Sequence, residues 1–191
     1  MNRNVPPPPT TQKKTTDSKT VPNKDEDSYY VILHNRVPKV EVNFWIIKVL
    51  STTVGETFAD FFNETVGLGL AKTTYLFLPF LAAAVAGQFY TGRYNAFLHW
   101  SVVVLMSIVG TLVTDNLTDN LNVKTWISSI VFAILLAITF GGWYYKERSL
   151  DIHLISTRPR EAFYLVAILF TFSLGTAFGD FITEGLGLGY G

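Results

Sequence analysis

Cysteine is absent from the 191 residues, so no disulfide, thiolate metal site or cysteine nucleophile can be built. Methionine occurs twice and histidine three times, which leaves soft and imidazole ligands scarce. His34, His99 and His153 are scattered, with no His-Glu-x-x-His pattern, so zinc hydrolysis lacks its ligands. An excess of one charge is also missing. Fifteen Lys and Arg balance fifteen Asp and Glu, and nucleic-acid binding is left without an electrostatic footprint. The GLGL stretch at 67 and the GLGLGYG ending are not phosphate loops, since neither completes a Gly-x-x-x-x-Gly-Lys-Ser/Thr pattern and no strand pattern precedes them. They read as helix terminators and turns. Neither a Gly-x-Ser-x-Gly elbow nor a serine–lysine pair suggests an intramembrane protease. With no nucleophile–base pair in view, the chain reads as a non-enzyme.

What is present is apolar surface, at 49% hydrophobic residues and 15% aromatics against 16% charge. The charge is concentrated toward the amino terminus. Residues 1–38 are rich in Pro, Thr, Lys and Asp, and such a segment buries too little to offset its chain entropy. The composition predicts a disordered tail there, followed by a transmembrane helical domain over 39–191. No apolar run follows Arg3, so the tail is not a signal peptide. The hydropathy pattern predicts five spans near 43–62, 73–91, 96–116, 125–145 and 162–182, each close to the ~20 residues that a bilayer requires. The 145–160 connection carries Lys146, Arg148, Arg158 and Arg160, and the positive-inside rule puts it, with the amino terminus, in the cytoplasm. His99, beside Trp100 at a predicted span boundary, reads as an interfacial residue.

The spans repeat. Aligning Gly55, Gly110 and Gly175 brings VGETFADFFNE, VGTLVTDNLTD and LGTAFGDFITE into register. One residue after the glycine stand Glu56, Thr111 and Thr176. Five after it stand Asp60, Asp115 and Asp180, and nine after it Glu64, Asp119 and Glu184. Trp45 and Trp100 also align, with Leu165 in the third place. Each repeat is thus an acidic helix followed by a plain apolar one: repeat 1 near 43–91, repeat 2 near 96–145, and the first helix of repeat 3 near 162–182. Two spans per repeat make the acidic helices parallel. At about 100° per residue, steps of four keep the acids on one stripe. Beside it, Gly55 with Ala59, Gly110 with Thr114 and Gly175 with Gly179 form small-residue pairs that let helices pack closely in lipid. A carboxylate near the bilayer centre costs roughly 2.5–3.5 kcal/mol on insertion scales and marks a functional candidate. The expectation is an ion or proton site built from Asp60, Asp115, Asp180, Glu56, Glu64, Asp119, Glu184, Thr111 and Thr176. Hard oxygen ligands fit Mn, Mg, Ca or Na ions, or a proton.

NFWIIKVLSTTVGETFAD, SIVGTLVTDNLTD and REAFYLVAILFTFSLGTAFGDFITEGLGLGY together resemble a family of bacterial membrane-anchored proteins of uncharacterised function. That family is described as four tandem repeats, each with two transmembrane spans and a tryptophan. The resemblance covers about residues 37–191, departs at Leu165 and implies no established activity. It implies an all-α, polytopic helix bundle in the bacterial inner membrane, and a chain truncated from about eight spans, with a natural five-span form as the alternative. A truncated bundle would expose acidic and small-residue faces, so either a homo-oligomer in the lipid bilayer or instability is expected. Two functions compete: a cation transporter or permease, and a membrane scaffold whose acids and hydroxyls only hold the repeats together.

Overall fold

The computed structural model describes residues 37–38, 40–91, 94–151, 155 and 157–187. The amino-terminal tail, His34, the Arg93 turn and His153 lie outside them. The described residues form five helices and no strand: α1 (Val42–Asp60), α2 (Leu70–Thr91), α3 (Ala96–Asp115), α4 (Thr125–Glu147) and α5 (Arg158–Leu186). A π-helical turn extends α1 through Phe61–Thr65, and another extends α3 through Asn116–Asn120.

Sequence sets each boundary. Gly67 and Gly69, both at positive φ, turn the chain between α1 and α2, a conformation that costs glycine nothing. Asn95 caps α3, its side chain accepting from the Leu98 N–H. Gly187 ends α5 in the left-handed region. α5 begins four residues before the predicted 162. Pro159 sits in its first turn, where the missing N–H costs no hydrogen bond, and Glu161 favours the helix amino terminus. Arg158 and Arg160 therefore belong to a helix rather than to the connecting loop.

Four of the five helices are long and apolar enough to cross a membrane: α2, α3 with its π turn, α4 and α5. The fifth helix, α1, coincides with the first predicted span and is less apolar than the others. Lys48, Glu56 and Asp60, together with Ser51, Thr52, Thr53 and Thr57, dilute the apolar content of the 19-residue α1. The chain is an all-helical integral membrane protein with tandem internal repeats.

α3 is the hub, packing against α1, α2 and α5, while α4 packs against α5. Only 11% of the most apolar window of α2 is buried, against 56% of that of α3. The outer helices thus turn apolar side chains such as Leu78, Phe80, Ile134 and Ile138 outward, as a lipid solvent permits. The core runs along α3 through Val102, Met106 and Val109 and meets Leu165, Ile168 and Phe172 of α5, while Ile108 and Leu112 pack with Ala59 of α1 in a second cluster. Val37 and Ile155, from segments outside the helices, are buried in the same core.

Candidate functional site

The acidic helices meet through small residues and hydroxyls. A Cβ on Gly55 would overlap the Ser107 side chain, so α1 and α3 approach at glycine. One on Gly110 would lie 3.1 Å from Phe172 Cβ and 3.3 Å from Ser173 N. Hydroxyls then tie the backbones across these contacts. Ser107 Oγ donates to the Thr52 carbonyl at 3.3 Å, Thr114 Oγ1 to the Ser173 carbonyl at 3.1 Å, and Ser173 Oγ to the Gly110 carbonyl at 3.2 Å. Each ties a side chain of one acidic helix to the backbone of the next and fixes helix register. The third small pair differs: a Cβ on Gly175 or Gly179 meets nothing within 4 Å. Their expected role in helix packing is not realised here, because no helix of the described chain lies on that face of α5.

The joints bring part of the acidic stripe together. Asp180 lies close enough to interact electrostatically with Glu56, Asp60 and Asp115, and Asp115 interacts likewise with Glu56 and Asp60. α1 and α5 thus direct carboxylates toward α3 from either side. Asp115, Asp180 and Glu56 are half-buried and Asp60 is exposed. One turn before the aspartates, Thr111 Oγ1 and Thr176 Oγ1 share a hydrogen bond at 3.2 Å, making a hydroxyl floor between α3 and α5. Asp60 and Asp115 each immediately precede a π turn, a distortion common at functional sites. Asp180 sits within continuous α-helix.

The outermost acids do not join this group as a layer. Glu64, Asp119 and Glu184 are all exposed. Glu184 accepts from Thr125 Oγ1 at 2.8 Å, which turns it toward α4. Asp119 accepts from its neighbour Thr118 at 3.2 Å. Asp119 and Glu184 instead line an open cavity of about 450 Å³ that mixes polar Lys124, Asn122 and Thr118 with apolar Trp126 and Phe181. Among the described residues, no three His, Asp or Glu side chains are grouped closely enough to hold a metal ion. Lys48, near the start of α1, places its ammonium 5.6 Å from the Trp45 ring centroid, a cation–π contact rather than a reach toward Glu56.

A second polar group lies where α3 and α5 begin. Gln88 Nε2 of α2 donates to Glu161 Oε1 of α5 at 2.8 Å, and both side chains are buried. His99 is buried too, stacked on Tyr164 with ring centroids 6.1 Å apart. This corrects the interfacial reading of His99, which lies inside the bundle because α2 and α5 close over the first turn of α3. Phe44, His99 and Tyr164 each stand eleven residues before the repeat glycine, so the histidine fills an aromatic place. Neither nitrogen of His99 has a hydrogen-bond partner in the structure. Sequence reasoning missed the Gln88–Glu161 pair. Its one signal was a glutamine within the apolar run of α2.

Parallel acidic helices joined through glycines, each followed by a plain apolar helix, define a polytopic membrane protein built by tandem duplication. The Repeat of Unknown Function (DUF347) matches residues 43–94 and 98–149, one copy per acidic–plain helix pair. The matched copies cover more than half of the chain, which belongs to this repeat family. No curated protein and no solved structure matches the chain.

Proposed function

We propose that the chain is a cation permease of the bacterial inner membrane, its amino terminus cytoplasmic, in which Asp60, Asp115 and Asp180 bind the passing ion or proton. The observation that carries this reading is the Thr111–Thr176 hydrogen bond at 3.2 Å, which joins α3 and α5 one turn before Asp115 and Asp180, with Glu56 and Asp60 of α1 near enough to Asp180 to interact with it. Carboxylates at the same place in three helices would repel one another if all were ionised. A bound cation or shared protons relieves that repulsion, which gives the group its affinity. Asp115 is the central carboxylate because α3 stands between α1 and α5, and the three aspartates, which are not gathered into one coordination shell, would pass the ion or proton between them. Glu56 adds a fourth carboxylate, and the Thr111–Thr176 hydroxyls supply neutral oxygens one turn away. The ion is a hard one, among Na, Mg, Ca, Mn or a proton.

The scaffold reading draws on a different observation: hydroxyl-to-carbonyl bonds cross both acidic-helix contacts. Those bonds account for the joints and leave the aspartates unexplained, so permeation is the stronger reading. Flux in proteoliposomes separates the two. Replacing Asp60, Asp115 and Asp180 together by Asn is expected to lower cation or proton flux at least tenfold while the protein remains assembled. Unchanged flux in the triple variant, or no flux of any tested ion through the wild-type chain, overturns the permease.

A further inference from the structure

The two plain helices, α2 and α4, carry the same order of side chains along their outer faces. On α2, Tyr75 toward one end and Tyr90 toward the other are exposed, and 76–89 hold no charged residue. On α4, Trp126 at one end and Tyr144 and Tyr145 at the other are exposed, and 127–143 hold no charge either. Between these aromatics the large exposed side chains are apolar, among them Leu78 and Phe80 on α2 and Ile130, Ile134 and Ile138 on α4. Charge resumes just outside, at Lys72, Lys124 and Lys146. At 1.5 Å per residue, Tyr75 and Tyr90 stand about 22 Å apart along the helix, and Trp126 and Tyr144 about 27 Å apart. Both spans approach the ~30 Å of a hydrocarbon core. Tyrosine and tryptophan collect where such a core meets water, because each has an apolar body and a polar end.

Side-chain contacts carry these levels across to the acidic helices. Asn116 of α3 donates to Thr74 Oγ1 at 2.9 Å, beside Tyr75. Thr125, beside Trp126, donates to Glu184 of α5 at 2.8 Å. Phe62, in the π turn of α1, meets Phe77 of α2 with ring centroids 5.2 Å apart. Asp115, adjacent to Asn116, therefore stands at the level of one aromatic girdle. Asp180 and Asp60 stand within about 6 Å of that level, by the rise per residue from Glu184 and Phe62. Ser107 and Gly110, where the acidic helices touch, lie about 14 Å and about 9 Å deeper than Asn116 by the same rise.

We propose that the two girdles mark the two interfaces of the bilayer. The joints at Ser107 and Gly110 then occupy its mid-depth, while Asp60, Asp115 and Asp180 stand at the water interface remote from the 145–160 connection. The cost of each group sorts them this way. A hydroxyl bonded to a carbonyl of the next helix is satisfied internally, as hydrocarbon requires. An ionised carboxylate is expensive at the centre and cheap at the edge. An ion thus reaches the three aspartates from water without crossing hydrocarbon, and its passage through the membrane begins only after binding. That role in passage rests on the permease reading, whereas the depth rests on the girdles alone.

The absence of native cysteine allows single nitroxide labels to report depth. Trp126→Cys, Ile130→Cys, Ile134→Cys, Ile138→Cys and Tyr144→Cys are labelled in vesicles of phosphatidylethanolamine and phosphatidylglycerol. Depth is read from the ratio of collisions with oxygen and with a water-soluble nickel chelate. It is expected to peak at Ile134, about 12 Å in from Trp126, and to return to the surface at Tyr144. Phe61→Cys, next to Asp60, is expected to read within about 6 Å of Trp126. A Phe61 label as deep as that at Ile134 overturns the placement of the acids, and a flat profile along α4 overturns the girdles. An Ile134 label that oxygen cannot reach would put a protein neighbour over α4 in place of lipid, and overturns them equally. Where a labelled α4 variant fails to fold, Tyr75→Cys, Leu78→Cys, Phe80→Cys and Tyr90→Cys read the same band on α2. The expected depths in a chain that passes no ion would overturn the permease and uphold this placement.

Discussion

Gly55 and Gly141 are both helical glycines in the membrane domain, and their surroundings are opposite. A Cβ on Gly55 overlaps Ser107, whereas one on Gly141 meets nothing within 4 Å. Alanine gains helix propensity over glycine by about 1 kcal/mol in a helix interior, and at Gly141 nothing offsets that gain. At Gly55 the obstacle is the Cβ and hydroxyl of a short side chain with no flexible far end, so α1 and α3 must separate. Overpacking of this kind costs typically about 1–3 kcal/mol. Gly55→Ala is therefore expected to lower the thermal unfolding temperature in detergent, and Gly141→Ala to leave it unchanged or raise it. Equal effects of the two substitutions would show that the α1–α3 contact is looser than described. The glycines at 55 and 110 were legible in the sequence as close-packing positions, because repeat register and small-residue spacing mark them. The open state of Gly175 was not. Whether a neighbour arrives is a property of the assembled row, not of the helix that carries the glycine.

Among elements, the π turns that follow Asp60 and Asp115 are the clearest departure from regular helix. Hydropathy cannot reveal them, since a π turn leaves the apolar periodicity of the preceding span intact. Asn116 opens the second turn, donating to the Leu112 carbonyl at 2.6 Å and to Thr74 Oγ1 of α2 at 2.9 Å. One side chain thus supports the distorted turn and ties it to the neighbouring helix. Asn116→Ala removes both bonds and is expected to cost about 1 kcal/mol. It should also speed amide hydrogen exchange across 116–124 while α4 keeps its protection. Exchange unchanged in that stretch would mean that packing alone holds the turn. The start of α5 eluded sequence reasoning for a related reason. Arg158, Pro159, Arg160 and Glu161 look like a charged loop, yet proline and an acid suit a helix amino terminus. Arg160 also finds Glu147 at the end of α4, with Nε 2.7 Å from Oε2. Its charge is matched locally instead of marking a solvated connection.

At the scale of the whole molecule, two kinds of polar group divide the work along the acidic helices. Hydroxyls of Ser107, Thr114 and Ser173 bond to backbone carbonyls of the neighbouring acidic helix. The carboxylates of Asp115 and Asp180 stand half-buried beyond these joints, near one another. The repeat and the stripe could be read from sequence, and so could the parallel direction of the acidic helices. The central place of α3 and the divergence of Glu184 toward Thr125 required the packed structure. The division predicts separable effects. Thr114→Val, which removes a hydroxyl donating to both Ser173 and Gly110 carbonyls, should cost about 1 kcal/mol and leave any cation response intact. The most direct test of the central claim is a thermal-unfolding panel in detergent against Na, Mg, Ca and Mn ions and against pH. It compares the wild-type chain, Thr114→Val and the combined Asp60→Asn, Asp115→Asn, Asp180→Asn variant. A ligand that binds only the native state raises its stability by mass action, by about 2.7 kcal/mol at a hundredfold excess over Kd. The account predicts a rise with one cation, or a pH-dependent shift where the ion is a proton, present in wild type and Thr114→Val and abolished in the aspartate variant. A response that survives the loss of the three aspartates, or its absence from the wild-type chain, would contradict it.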